Sequence, residues 1–152
     1  MKQMALRSFQ SEFSNILCVL RILLYSQNPI KYIVIIPSIY HIHRYYIYFN
    51  QAKQVSNEQS KLWLLNIIDY YIIFSSSEYT EIKGIISGFV SFYFIYQYYP
   101  IKKVKKGFSN NIIDDLFMII LALIFMNIND KYIRFFGIRE FVYHSLEFIY
   151  YY

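Results

Sequence analysis

Three groups of side chains in this sequence could do chemistry. The first is His41-Ile42-His43-Arg44. Histidines two apart share a face on a strand but point to different sides of a helix, where they cannot both ligate one metal. One of them, or His144, could instead be the axial ligand of a haem held between helices. The second is Asp69, a lone carboxylate within the apolar run from Leu62 to Ser77. In lipid such a group costs about 2.5–3.5 kcal/mol by insertion scales, so it must face a partner or a polar cavity. Arg21, alone in the apolar run from Phe13 to Ile30, is the expected mate, and a structural ion pair is preferred to a proton relay. The third is Asp114-Asp115. Carboxylates in a first turn meet the positive end of the helix dipole, so this pair reads as a helix start, capped by Asn110 or Asn111, and not as a catalytic dyad. Glycine-rich phosphate loops, zinc-ligand spacing and serine or cysteine nucleophile signatures are missing, and Cys18 has no second cysteine to pair with. The expectation is a chain without catalytic residues and without a bound metal.

These residues sit in elements whose solvent is the main question. The chain has 152 residues, of which 57% are hydrophobic, 22% aromatic and only 16% charged. Soluble domains carry roughly 25% charged residues. Residues 84–101 contain no charge and are flanked by Lys83 and Lys102. Gly84 and Gly88 stand four apart there, a small-xxx-small spacing that admits a second helix closely. Residues 112–129 include eleven consecutive apolar residues, Leu116 to Met126, and residues 62–77 are apolar around Asn66 and Asp69. Three such stretches separated by short charged loops predict three membrane spans, since about 20 mostly apolar residues cross a bilayer. Within residues 1–50 the expectation is one helix on or partly in the membrane and a second entering it obliquely, with the number of further crossings, one or two at most, left open. Pro37 would kink a helix there unless it falls in the first turn. A secretory signal is not expected, because Arg21 splits the apolar run. Over residues 132–152, Arg139, Glu140, His144 and Glu147 fall on one side of a helix and mostly aromatic and aliphatic residues on the other. That pattern predicts an amphipathic helix for the membrane surface or a partner's groove. The fold class expected is all-α: polytopic membrane helices plus a C-terminal amphipathic helix, in one integral domain of residues 1–152.

Lys102, Lys103, Lys105 and Lys106 supply four positive charges between two expected spans, out of a formal net charge of +5. By the positive-inside rule this loop lies on the cytoplasmic or matrix side, where it sets topology and can meet anionic lipid such as cardiolipin. Tyr (18), Phe (14) and isoleucine (27) dominate, while alanine occurs three times. Residue usage of this kind follows an A+T-biased genome.

In composition and span pattern the whole chain resembles mitochondrion-encoded inner-membrane subunits of protists such as ciliates. That resemblance implies a non-catalytic subunit of a respiratory complex or ATP synthase, partnered by other membrane subunits and lipid and not by nucleic acid. Ser38-Ile39-Tyr40-His41-Ile42-His43-Arg44 and Gly137-Ile138-Arg139 are similar to segments of succinate dehydrogenase membrane anchors. This second resemblance implies an alternative, a quinone or haem pocket touched by His41, His43, Arg44 or His144. A mitochondrial ribosomal protein from a biased genome is the third reading, although such chains usually spread Lys and Arg along their length.

Overall fold

A computed structural model describes residues 2–39, 42, 60–75, 78–96 and 112–151. Among them every regular element is helical: α1 (Lys2–Tyr25), a 3-10 helix (Pro29–Val34), α2 (Ser60–Phe74), α3 (Thr80–Tyr96), α4 (Ile112–Met126) and α5 (Lys131–Tyr151). The chain forms two compact units, Met1–Ser76 and Ser77–Tyr152.

In the first unit, α1 begins well before the apolar run that starts at Phe13, because Lys2 to Gln10 is rich in good helix formers. It ends before Asn28-Pro29. Asn28 Oδ1 accepts from the Ile30 N–H at 3.0 Å, and Pro29 occupies the first helical position, where its missing donor is no loss. Lys31 Nζ turns back to the carbonyls of Leu23 (3.1 Å) and Ser26 (2.9 Å), supplying a cation to the end of α1. Pro37 falls at the start of the helical residues 35–39, where it is tolerated. Phe13 meets Tyr70 edge-on at 5.7 Å, and Cys18, Val19, Ile22, Val34 and Ile73 are buried.

In the second unit, α5 packs against both α3 and α4. Its first turn is capped by Asp130, whose Oδ1 accepts from Tyr132 N (2.9 Å) and Ile133 N (3.0 Å). Three glycines set the spacing. A Cβ on Gly88 would lie 2.8 Å from both the Arg139 carbonyl oxygen and Val142 Cβ, and one on Gly84 would lie 3.0 Å from Ile138 Cβ. A Cβ on Gly137 would meet α4 backbone, 2.7 Å from Met126 N and 2.9 Å from the Ala122 carbonyl oxygen.

The all-α class expected is the one observed among the described residues, while the expected spans come out short and the C-terminal helix enclosed. Residues 62–77, 84–101 and 112–129 give rise to α2, α3 and α4, which have 15, 17 and 15 residues. No helix among the described residues is long and apolar enough to cross a membrane. At 1.5 Å per residue these three rise about 22–26 Å, less than the ~30 Å of a hydrocarbon core. The C-terminal helix, which reads from sequence as amphipathic and suited to the membrane surface or a partner's groove, has Arg139, Glu140 and His144 all within 1% of full burial. The reason is steric: α5 lies between two neighbours, so its charged side and much of its apolar side are covered together.

Replacing Gly137 by Ala forces backbone away from backbone, which no side-chain rotation relieves. The variant should lose about 1–3 kcal/mol of stability, while Ile149→Ala, at an exposed position, should stay within about 0.5 kcal/mol of the parent. Chemical unfolding followed by helical circular dichroism checks both values.

Candidate functional site

Polar residues in each unit are drawn inward. In the first unit, Ser14 Oγ donates to Asp69 Oδ2, and Arg21 Nη2 donates to the Ser75 carbonyl oxygen at 3.0 Å. Ser75 lies just past the end of α2, where carbonyls lack intrahelical donors and a cation meets the negative end of the dipole. Asp69 (1% exposed) and Arg21 (6%) thus both join α1 to α2. The contacts advance in the same direction along both helices, so α1 and α2 run parallel.

The larger constellation is centred on α5. Arg139 Nε donates to Ser87 Oγ at 3.1 Å and its Nη2 to Ser91 Oγ at 2.7 Å. Ser87 and Ser91 are four apart and therefore stacked on one face of α3. The remaining side of the guanidinium pairs with Glu140, through Nη1 and Oε1. One turn further along α5, His144 Nδ1 lies 3.0 Å from Asp115 Oδ1 of α4 and 3.6 Å from Glu147 Oε2. Its Nε2 is 3.4 Å from Glu140 Oε2. Both ring nitrogens therefore face carboxylate oxygens, which only accept; an imidazolium, with two N–H donors, or a bound cation satisfies that surrounding. Arg134 Nη1 to Glu81 Oε1, at 3.4 Å, is a solvent-facing pair that adds little.

The arrangement ties α3, α4 and α5 together through charge. It also gathers Asp115, His144 and Glu147, whose ligating atoms lie within 4.8 Å of one another. Of the residues singled out from sequence, Asp69, Arg21, Gly84, Gly88 and His144 lie at these helix contacts. His41, His43, Arg44, Lys102, Lys103, Lys105 and Lys106, with the expected caps Asn110 and Asn111, lie outside the described residues. Asp115, read from sequence as a helix-start residue, does stand in the first turn of α4, but it also reaches α5. Ser87 and Ser91 were missed, although Thr80, Gly84, Ser87, Gly88 and Ser91 form one small-residue stripe at helical spacing. The Asp115–His144 pairing has no such signal, because 29 residues separate its members. No protein-family model, curated protein or solved structure matches this chain.

Removing one member of a buried pair strands the other charge. Arg139→Met and Glu140→Leu should each cost about 3–5 kcal/mol, whereas the double variant should cost far less than their sum. A double-mutant cycle on unfolding free energies reads the difference, and simple additivity would mean that the pair is not energetically coupled.

Proposed function

We propose that this chain is a non-catalytic, membrane-embedded subunit of a larger assembly, and that it supports packing between neighbouring subunits. The observation that carries the reading is an inverted distribution of polarity. On α3, Ile82, Ile85, Ile86, Phe89 and Tyr93 are exposed, while Thr80, Ser87 and Ser91 are buried. On α4, Leu116, Phe117, Ile120, Leu123 and Ile124 are exposed, while Asp115 is buried together with Met118, Ala122 and Phe125. A helix that folds against water does the reverse. Hydrocarbon imposes this pattern: apolar side chains face lipid, small residues let helices approach, and polar side chains hydrogen-bond between helices.

On this reading α2, α3 and α4 are the membrane helices. Their 15, 17 and 15 residues fall short of an average bilayer by several ångströms, a mismatch that local thinning accommodates at a fraction of a kcal/mol per ångström. Because α5 lies against α3 and α4, it shares their depth. By the positive-inside rule the four charges of Lys102, Lys103, Lys105 and Lys106 assign the cytoplasmic or matrix side. The A+T-skewed residue usage favours a mitochondrial inner membrane, with a respiratory complex or ATP synthase as host.

Alkaline carbonate washing of membranes, followed by native electrophoresis in mild detergent, tests the proposal. The chain should stay with the washed membranes and then migrate with one large complex. Release by carbonate would overturn the membrane placement, and migration as a free monomer would overturn the subunit role.

A further inference from the structure

The cluster on α4 and α5 has a geometry that a helix-holding role leaves unused. His144 is 1% exposed, and its Nε2 has no hydrogen-bond partner among the described residues. That nitrogen lies 3.4 Å from Glu140 Oε2, beside a carboxylate but outside hydrogen-bond geometry. In metal sites a carboxylate at one imidazole nitrogen fixes the tautomer and leaves the other nitrogen free to ligate. Here the other nitrogen, Nδ1, faces Asp115 Oδ1 at 3.0 Å and Glu147 Oε2 at 3.6 Å.

Ligands about 2.0–2.2 Å from a divalent ion stand roughly 3–3.5 Å from each other. The Asp115–His144 distance already meets that spacing, and the Glu147 distance is within a few tenths of it. The three donor atoms lie within 4.8 Å of one another, a bound about 1.3 Å wider than that spacing, so closure requires the longer Glu147 side chain to move inward. Asp115 and Glu147 are also the least enclosed members of the cluster, with side chains 12% and 17% exposed, which leaves an approach for an ion on their side. Arg139 pairs with Oε1 of Glu140, whereas His144 Nε2 lies by the other carboxylate oxygen, Oε2. Two carboxylates converging on one imidazole nitrogen repel each other in a low-dielectric interior, and a dication removes that repulsion.

We propose that Asp115, His144 and Glu147 form a site for one first-row divalent cation, with Glu140 orienting the imidazole. One nitrogen and two oxygen donors without thiolate suit Zn²⁺, Mn²⁺ or Fe²⁺. Because the ligands come from α4 and α5, the ion would pin that helix pair. The site is independent of the membrane assignment and would exist in either solvent.

The test uses the purified full-length chain, in detergent where needed, with Co²⁺ alone as the probe. The parent should bind one equivalent of Co²⁺ with a visible ligand-field band, and Zn²⁺ should displace it. Glu147→Gln, at the least buried ligand, should weaken binding at least tenfold with the helical spectrum unchanged. Glu140→Gln should weaken it about 10–100-fold, as removal of an orienting partner does elsewhere. Folded parent protein that takes up no Co²⁺ would overturn the proposal, leaving a protonated His144 held among carboxylates. Binding that is identical in the parent and in folded Glu147→Gln would overturn it as well. Should His144→Ala or Glu140→Gln fail to fold, the Glu147 variant still decides the question.

Discussion

A charge removed from water must find its match on a neighbouring element, and in the Ser77–Tyr152 unit this requirement organises the fold. Arg139 is fully enclosed on α5, so its guanidinium needs acceptors in several directions. Glu140 supplies one from the adjacent residue, and Ser87 and Ser91 supply two from α3. Glu140 in turn faces His144, which turns its other nitrogen to Asp115 on α4. Three helices are thereby fixed by one connected set of polar contacts. The glycines serve the same end: Gly84 and Gly88 bring α3 close enough for two short serine side chains to reach an arginine, and Gly137 brings α4 onto α5.

The first unit follows the same logic on a smaller scale. Ser14 with Asp69 and Arg21 with the Ser75 carbonyl lie at the contact between α1 and α2, among Cys18, Val19, Ile22 and Ile73. Hydrogen bonds between helices in a bilayer contribute modestly, about 0.6 kcal/mol on average in measured cases. Their larger effect is on specificity. An apolar helix face packs almost equally well in many registers, whereas Arg139 is matched only where Ser87 and Ser91 stand opposite it. The exposed Ile, Leu and Phe side chains of α3 and α4 are then what remains for the surroundings. On the proposed reading, that exposed apolar surface is what lipid or a neighbouring subunit covers.

The presence of the helices was legible in the sequence, because long apolar stretches bounded by charges and turn residues leave few alternatives. The stripe formed by Gly84 and Gly88 was legible too, since a spacing of four is local information. Helix ends were less so: α1 extends through polar residues that favour helix without being apolar, and α2, α3 and α4 differ in length from the stretches that signal them. The C-terminal stretch reads as an amphipathic helix, but over Lys131–Tyr151 charged and apolar residues are hardly segregated to two faces, and the side that carries Arg139, Glu140 and His144 is enclosed. Amphipathic periodicity reports that two faces differ but not which is enclosed, and that is decided by α3 and α4 lying on either side. Asp115 illustrates the limit most clearly. Its place in a first turn is a local fact, while its contact with His144 arises only when α4 and α5 pack.

The polarity of the medium around α4 is the most direct point of attack. A nitroxide attached at Ile120→Cys, in a Cys18→Ala background of the full chain reconstituted into liposomes, reports collisions with dissolved oxygen and with a water-soluble nickel chelate. Ile120 is 59% exposed, so the label meets whatever surrounds the helix. A membrane-embedded α4 requires oxygen collisions to dominate and the chelate to be nearly excluded. Chelate collisions as frequent as those at a water-exposed site would mean that α4 is bathed in water, and the inverted distribution of polarity would then need a protein partner to explain it.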